Sequence, residues 1–443
     1  MNFEYLKQTD KEIYDLILLE LKRQKQSINL IPSENYTSKS VLEAISSILN
    51  DKYSEGYPYK RYYGGNLYVD ELEVLCQKRA LNIFNLNPDE YNVNVQPYSG
   101  TPANLAVYTG LLNIGDTILS LKLSHGGHLS HGDSVNLSGK LFNFIHYEVD
   151  QKTGLINYEN IEELAKNYKP KLIISGFTAY PRIIDFKKIS QIAKSVEAIS
   201  MADISHIIGL IIGGAHPSPF PFCDIVTTTT HKTLRGPRGA LIFYKKEFGE
   251  KINKAVFPGM QGGPHENIIA GIAVALKEAQ SKNFKNYAKQ IILNSKTLAK
   301  LLIDNDIKLV SGGTDNHLIL LDLRKFGPGR GYFIEKALET ADIIVNKNSV
   351  PGDTFPPYYP SGIRIGTPAI TTRGMKEKEM IKISEWLTKI IKKFAINDMP
   401  DDKEKRQIII KEFNEKIKED EFLNKIRKEV NDFALQFPLP GLN

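Results

Sequence analysis

Lys232 is the residue whose surroundings most favour covalent chemistry. A lysine amine acts as a nucleophile near neutral pH only when burial or nearby positive charge lowers its pKa. Most lysines are instead solvated surface groups, and an isolated lysine predicts nothing more. Here the short strand pattern 224–226 and four threonines come before the lysine, and the glycine-rich residues 235–239 follow it. This order places Lys232 at the carboxyl end of a strand, where open α/β sheets bind ligands.

Asp203 follows the apolar residues 199–202 and lies upstream of Lys232. A carboxylate at this strand end would point into the same crevice, where it could keep a pyridine nitrogen protonated so that the ring accepts electrons released at a substrate carbon. An aspartate at a strand end is as often a turn or capping residue. His206 could donate a hydrogen bond to a phenolic oxygen of such a cofactor, although a lone histidine is more often structural.

Clustered backbone N–H groups and hydroxyls at a helix amino terminus form phosphate sites. Residues 99–101 (Ser-Gly-Thr) offer both, because they follow the strand pattern 93–95 and open a helical pattern in which Pro102 suits the first turn. The pair 262–263 (Gly-Gly) could present further amides. A tight turn explains each glycine motif equally well when it is taken singly. As a set, however, these residues predict a pyridoxal phosphate enzyme whose cofactor forms a Schiff base with Lys232.

The elements that must position these residues form an α/β pattern. Short apolar runs alternate with helical patterns between about residues 90 and 290, which is typical of a mainly parallel sheet covered by helices. The runs are 93–95, 117–121, 171–175, 199–202, 224–226 and 240–243. After about residue 284 a helix, the strand-like 318–321, a proline-rich loop at 351–360 and further helices predict a smaller α+β domain.

The sequence predicts helices near both ends of the chain. Residues 11–26 form an amphipathic helix of an N-terminal arm, and the final stretch 401–437 places apolar residues at helical intervals among charges. We therefore predict three segments: a helical arm at 1–35, a large cofactor-binding α/β domain at 36–285, and a small C-terminal α+β domain at 286–443.

Composition limits the partners. The chain has 443 residues, 42% of them apolar, and its net charge of +6 is spread along the sequence, so no nucleic-acid partner is expected. Its two cysteines, Cys76 and Cys223, lie far apart, which predicts neither a disulfide framework nor a metal site. Early acidic residues argue against a targeting peptide, and no apolar run is long enough to span a membrane. These features predict a cytoplasmic enzyme.

Taken together, the motifs resemble those of the serine hydroxymethyltransferases, which are homodimeric or tetrameric pyridoxal phosphate enzymes of fold type I. The similarity extends over nearly the whole chain. It rests on LIPSEN at 30–35, KYSEGYP at 52–58, RYYGG at 61–65, GGHL at 126–129, THK at 230–232, FPG at 257–259, QGGP at 261–264 and SGIRIGTPA at 361–369. The resemblance implies an aspartate aminotransferase-like large domain with a mainly parallel, seven-stranded sheet.

The resemblance also implies a role for each residue of a cofactor site. Lys232 carries the cofactor, Asp203 pairs with the ring nitrogen, and His128 stacks on the ring face. The other implied cofactor contacts are Ser99, Gly100, Thr101, Thr178 and His206, with Tyr53, Gly262 and Gly263 supplied by the neighbouring subunit.

For the substrates, the resemblance implies that Arg364 grips the serine carboxylate through two parallel hydrogen bonds. The implied pocket is completed by Ser33, Tyr63, His206 and, from the neighbouring subunit, Glu55. Glu55, Tyr63 and His231 join Lys232 and Asp203 as implied catalytic residues, with Glu55 handling protons on the serine hydroxyl and the folate. The implied folate contacts are Leu123, Gly127, Leu129 and Asn348.

The reaction implied is the reversible transfer of the serine hydroxymethyl carbon to tetrahydrofolate, which yields glycine and 5,10-methylenetetrahydrofolate. Pro32 and Thr101 depart from the residues common in the family, alanine and serine, without loss of the needed chemistry. Two alternatives stay open: a folate-independent enzyme that cleaves β-hydroxy amino acids, such as a threonine aldolase, and a catalytically idle cofactor binder. Glu55 in its Tyr-Ser-Glu-Gly-Tyr setting disfavours both.

Overall fold

A computed structural model describes residues 3–395 and 398–441 of the chain. The strands are β1 (Ile28–Asn29), β2 (Gly56–Tyr57), β3 (Lys60–Arg61), β4 (Tyr91–Asn94), β5 (Thr117–Leu121), β6 (Asn143–Tyr147), β7 (Leu172–Gly176), β8 (Ile199–Asp203), β9 (Ile225–Thr229), β10 (Ala240–Lys245), β11 (Leu318–Asp322), β12 (Ile343–Ile344), β13 (Asn346–Asn348) and β14 (Gly362–Gly366). The helices are α1 (Glu4–Thr9), α2 (Lys11–Gln26), α3 (Lys39–Ile45), α4 (Leu67–Ile83), α5 (Gly100–Leu111), α6 (Leu137–Leu141), α7 (Tyr158–Tyr168), α8 (Phe186–Ser195), α9 (Ile208–Ile212), α10 (Gly249–Lys254), α11 (Glu266–Ala279), α12 (Lys282–Asp304), α13 (Gly331–Thr340), α14 (Pro368–Thr372), α15 (Glu377–Phe394), α16 (Lys403–Lys418) and α17 (Glu421–Ala434).

The chain forms two compact units. The large unit consists of residues 37–292 and 314–317, and the small unit contains the described residues of 1–36, 293–313 and 318–443. The N-terminal segment thus belongs to the same unit as the C-terminal segments. The three-segment division at 35/36 and 285/286 stays a prediction.

The large unit contains a seven-stranded sheet in the order β4-β10-β9-β8-β7-β5-β6. Strands β5 to β9 run parallel, whereas β10 is antiparallel to both β9 and β4. The predicted mainly parallel sheet is therefore confirmed. Its interior strand β7 is buried along its whole length, as expected when helices cover both faces of a sheet.

Two strands differ from their sequence patterns. The predicted strand 224–226 is too short, because β9 continues through Thr229 and its threonines are buried. Threonine is β-branched and suits a strand. The Thr227 hydroxyl also donates a hydrogen bond to the Asn104 side-chain carbonyl at 2.7 Å. Strand β6 was not predicted. It lies at the edge of the sheet and carries Asn143 and His146, so it lacks a continuous apolar run.

The helices cover the sheet through apolar faces set by sequence spacing. Helix α8 buries Phe186, Ile189, Ile192 and Ala193, and it begins where the Asp185 carboxylate accepts a hydrogen bond from the Lys188 amide. This is the ordinary capping arrangement at a helix start. Helix α5 buries its apolar residues from Ala103 to Tyr108 in the same core as the sheet. Its first residue, Gly100, adjoins Thr229 at the end of β9.

The small unit has an antiparallel sheet in the order β11-β14-β13 and a short parallel pair, β1 with β12. Helix α2 matches the predicted opening helix at both ends. The predicted C-terminal helical stretch is divided into α16 and α17, because Asp420 interrupts it and caps α17 through the Leu423 amide. Within residues 3–395 and 398–441, no helix combines the length and apolar composition needed to cross a bilayer.

Arg373 joins two helix ends inside the small unit. Its guanidinium is buried and donates to the Ser27 and Lys25 carbonyls near the end of α2, at 2.8 and 3.0 Å. It also donates to the Ala434 and Phe437 carbonyls at the end of α17. Positive charge at helix carboxyl ends is favourable, and Arg373 supplies these carbonyls with buried or half-buried donors.

We expect Arg373→Ala to lower the free energy of unfolding by about 3–5 kcal/mol, since it removes the hydrogen bonds of a buried guanidinium that connects two helix ends. Denaturant unfolding of the full chain measures this loss. Arg427→Ala is the matched control, because that side chain is exposed and its guanidinium donates to Asn424, three residues away, and a change within about 0.5 kcal/mol is expected. Equal losses for the two variants would contradict the role of Arg373.

Candidate active site

Lys232 lies three residues beyond the end of β9, in a loop that is held close to the strand. The Thr230 carbonyl accepts a hydrogen bond from the Gly236 amide at 2.8 Å, and the Thr230 hydroxyl donates to the Pro237 carbonyl at 2.6 Å. The Lys232 amine is partly buried and donates to the Thr229 hydroxyl at 2.9 Å. The loop thus directs the amine back toward the strand end.

Asp203 ends β8, the strand next to β9, and its register partner there is Thr227. One carboxylate oxygen accepts from the Asn104 amide at 2.9 Å and lies 3.1 Å from the His131 Nε2. The other accepts from the Ser205 amide and hydroxyl at 3.0 and 2.6 Å. Burial alone would raise the pKa of Asp203, but the hydrogen bond and charge of His131, with the Asn104 hydrogen bond, hold that pKa well below its usual range.

Asn104 is oriented by three partners at once. Its side-chain carbonyl accepts from the Thr227 hydroxyl at 2.7 Å, so its amide nitrogen faces both Asp203 and the Ser130 hydroxyl, at 2.9 Å each. Neither Asn104 nor His131 was assigned a role from the sequence. Asn104 belongs to a glycine-led helix start and His131 to a loop, and no local pattern connects either residue with Asp203.

His128 is part of the same hydrogen-bonded network. Its Nδ1 accepts from the Ser130 amide at 3.1 Å and lies 2.8 Å from the Ser130 hydroxyl. Since Nδ1 accepts, the neutral ring carries its proton on Nε2. The rings of His128 and His131 are 5.6 Å apart. The residue predicted to cover the cofactor ring is therefore connected, through Ser130 and Asn104, to the carboxylate predicted to bind the ring nitrogen.

The start of α5 adjoins β9. Ser99 has extended backbone and precedes the first helical residue, Gly100, so the amides of the first turn lack partners within the helix. A Cβ added at Gly100 would lie 2.8 Å from the Thr229 methyl group. Only glycine permits this approach between helix and strand. Thr178, predicted as a cofactor contact, follows β7 and donates its amide to the Gly126 carbonyl at 2.7 Å.

These groups fit pyridoxal phosphate by their chemistry. Lys232 is an amine that can bond to an aldehyde, Asp203 is a buried ionised carboxylate for a ring N–H, and the start of α5 is an anion site. All three belong to the large unit, and two of them are at the ends of adjacent parallel strands.

A second group of predicted residues lies together on the segment 53–63 and on residues 261–264 (Gln-Gly-Gly-Pro), the glycine loop. A Cβ at Gly262 would be 3.2 Å from a Glu55 carboxylate oxygen, and one at Gly263 would be 3.8 Å from both Glu55 and Tyr53. The rings of Tyr53 and Tyr63 meet edge to face at 4.9 Å. A cavity of about 500 Å³ is lined here by Glu55, Tyr62 and residues 257–262.

Two predicted histidines lie in buried surroundings of the large unit. His206 Nδ1 is 3.1 Å from His317 Nε2, a partner that the sequence did not reveal because 111 residues separate the two. Burial, and then the charges of Lys232 and Arg238, lower the pKa of His231 to about 3. His231 is therefore neutral beside the amine.

Three predicted ligand residues belong to the small unit. Arg364 lies in the middle of β14, is 6% exposed, and donates from Nε to the Asn346 side-chain carbonyl at 3.0 Å. Burial lowers the pKa of Arg364 to about 10, so the guanidinium stays charged at neutral pH. Ser33 lies in a turn after β1, and Asn348 ends β13 opposite Gly362.

The remaining predicted folate residues follow β5 in the large unit. Gly127 approaches the backbone so closely that an added Cβ would lie 2.1 Å from the Leu121 carbonyl oxygen. Leu123 is partly buried, and Leu129 is 44% exposed. The close approach at Gly127 fixes the loop from which Leu129 projects.

The chain matches a known protein family over most of its length. A family model described as "Serine hydroxymethyltransferase" matches residues 6–387. The matched range includes both strand ends of the cofactor group, the segment that carries Glu55, and the strand that carries Arg364.

Proposed function

The chain belongs to the serine hydroxymethyltransferase family, and we propose that Lys232, Asp203 and the start of α5 form the cofactor end of its active site. The family enzyme depends on pyridoxal phosphate and interconverts serine and glycine, with tetrahydrofolate as the one-carbon acceptor. One observation carries the assignment: a buried carboxylate, held ionised, stands beside the strand whose end leads to Lys232.

At the cofactor end, Ser99, Gly100 and Thr101 bind the phosphate, His128 covers the ring, and Asp203 holds a proton on the ring nitrogen. Pyridoxal phosphate supplies an aldehyde that condenses with amines and a ring that accepts electrons from a substrate carbon. The low pKa of Asp203 supports its part, since an ionised carboxylate stabilises a protonated nitrogen. Thr178 and His206 add contacts to this end.

At the substrate end, Arg364 binds the serine carboxylate through two parallel hydrogen bonds. Its burial strengthens this interaction, because a guanidinium in a region of low dielectric attracts an anion more strongly than one in water. Ser33, Tyr63 and His206 complete the pocket. The neutral His231 lies beside the Lys232 amine.

Glu55 handles the protons on the serine hydroxyl and on the folate. Leu123, Gly127, Leu129 and Asn348 contact the folate. The family match disfavours the folate-independent and idle alternatives, because it includes the segment around Glu55.

We infer a homodimer, with a tetramer as a further assembly, in which Tyr53, Glu55, Gly262 and Gly263 reach the neighbouring subunit's site. Two observations support this inference. These four residues lie together on one chain, and exposed tyrosines adjoin them, because Tyr63 contacts Tyr53 and Tyr62 lines the same cavity as Glu55 and Gly262. Tyr59 and Tyr68 in the same stretch of sequence are exposed as well. Such a patch is typical of an interaction surface.

We further infer that the enzyme works in the cytoplasm. Cys76 and Cys223 are buried and unpaired, which suits a reducing compartment.

Lys232→Ala is expected to abolish the visible absorbance of the bound cofactor, because it removes the amine that bonds to the aldehyde. Spectra of the purified, cofactor-loaded protein measure this directly. Lys378→Ala serves as control, since that side chain is 84% exposed. An unchanged spectrum for Lys232→Ala would mean that another lysine carries the cofactor.

Arg364→Lys is expected to weaken serine binding by roughly 10- to 100-fold, because lysine keeps the charge but loses the paired hydrogen bonds. Serine titrations of the loaded enzyme, followed spectroscopically, give the affinity. If the variant binds serine as tightly as the parent, Arg364 does not hold the carboxylate.

Co-expression tests whether the site is shared. Lys232→Ala and Glu55→Gln homodimers are each expected to be inactive, whereas a mixed dimer has one intact site if Glu55 acts across the interface. Random pairing should then restore about a quarter of the parent activity. The control is co-expression of a Lys232→Ala chain with an Asp203→Ala chain. Both residues belong to the cofactor end of their own chain, so a mixed dimer has no intact site. Absence of recovery in the first pair would show that Glu55 acts within its own chain.

A further inference from the structure

A buried group of charges lies beneath the segment that carries Glu55. The side chains of Asp70, Glu73 and Glu266 surround the single guanidinium of Arg61, and none of the four side chains is more than 8% exposed. Arg61 lies 2.8 Å from Asp70, 3.2 Å from Glu73 and 3.9 Å from Glu266. Three carboxylates therefore share one cation in a region that excludes water.

This group holds the backbone on both sides of Glu55. Arg61 Nη1 donates to the Ser54 and Gly56 carbonyls, at 2.7 and 3.0 Å. The Gln96 amide donates to the Gly56 carbonyl as well, at 3.0 Å. Gly56 has a φ of +101°, and a Cβ there would lie 2.4 Å from the Lys60 carbonyl oxygen. The backbone next to Glu55 thus has a conformation that glycine allows and that the buried donors maintain.

Glu266 reaches the same segment through a side chain. The Ser54 hydroxyl donates to a Glu266 carboxyl oxygen at 2.6 Å, across 212 residues of sequence. Glu266 is also the first residue of α11, two positions after the glycine loop. That loop approaches Glu55 from the other side, since a Cβ at Gly262 would meet its carboxylate at 3.2 Å. One buried side chain therefore connects the two segments that enclose Glu55.

Of the three carboxylates, Glu266 lies farthest from the Arg61 guanidinium that could compensate its negative charge. Glu73 accepts two contacts from the Gln96 amide and faces Arg61 at 3.2 Å, and Asp70 accepts from Arg61 and from the Tyr59 amide. Burial, and then the neighbouring Glu73, raise the pKa of Glu266 to about 8. A place in the first turn of a helix favours the charged form, but burial outweighs it. This shift favours the neutral form of Glu266, and a carboxyl oxygen of Glu266 accepts from the Ser54 hydroxyl.

We propose that Glu266, through its hydrogen bond with Ser54, is a positioning residue for Glu55. It holds Ser54 beneath the catalytic carboxylate and keeps the glycine loop against the same side chain. This role rests on the proposed function of Glu55 in proton transfer. Glu266 itself touches neither serine nor folate.

Single variants test the contact. Glu266→Ala and Ser54→Ala are each expected to lower kcat for folate-dependent glycine formation by roughly tenfold, the effect of losing one buried hydrogen bond. The serine KM and the cofactor absorbance should stay unchanged, because Lys232, Asp203 and Arg364 are untouched. Glu266→Gln should keep most of the rate, since a neutral amide still offers an acceptor oxygen to Ser54. If Glu266→Ala does not fold, Ser54→Ala, which removes only a hydroxyl group, carries the test.

A double-mutant cycle shows whether the two residues act through Glu55. Glu55→Gln alone should reduce the transfer rate by roughly 10²- to 10⁴-fold, as for the loss of a general acid or base. Adding Ser54→Ala or Glu266→Ala to the Glu55→Gln variant should change the rate by less than about twofold. The amide that replaces the Glu55 carboxylate transfers no proton, so a shift in its position does not lower the rate further. Ser384→Ala, a buried serine of α15, is the control and should leave kcat unchanged in both backgrounds.

Four results would overturn the proposal. Full additivity of the losses would mean that Glu266 and Ser54 act independently of Glu55, and unchanged rates for both alanine variants would mean that the contact does not matter. A Glu266→Gln rate as low as that of Glu266→Ala would require a charge at that position. If Glu55→Gln itself had no effect, the proposed function of Glu55 would fail, and its positioning by Glu266 with it.

Discussion

A carboxylate buried at the end of a parallel sheet is stable only while hydrogen bonds replace the water it has lost. Asp203 has donors on three sides, supplied by Asn104, His131 and Ser205. Each donor comes from a different part of the large unit, so α5, the loop after β5 and the turn after β8 must all be in place. The same arrangement brings the start of α5 against the strand that leads to Lys232.

The segment around Glu55 lies against a buried group with more negative than positive side chains. There the carboxylates of Asp70, Glu73 and Glu266 outnumber the one guanidinium, and burial prevents water from compensating them. The excess is relieved by a raised pKa rather than by another cation. A buried carboxyl group is thus favoured in its ionised form at Asp203, where His131 and Asn104 stabilise the charge, and in its neutral form at Glu266, where burial and the neighbouring Glu73 disfavour it.

Much of the fold could be predicted from local patterns. Strand β5 and helix α2 have the predicted bounds, because a buried strand and an amphipathic helix each leave a clear periodicity in the sequence. Strand β6 was missed, since an edge strand is not required to be apolar on both faces. Strand β9 extends past its apolar start through the threonines, whose burial depends on partners such as Asn104 that only folding brings near.

The sequence by itself determined the family and its chemistry, because the motifs around Lys232, Asp203 and Arg364 occur at fixed places along the chain and strand ends can be recognised locally. Only the tertiary structure decided which side chains set the state of these groups. His131 beside Asp203 lies 72 residues away, and Ser54 bonds to Glu266 across 212 residues. The physical reason is that the state of a buried charge depends on the distance and direction of its donors and on its exclusion from water. None of these quantities leaves a periodic trace in the sequence.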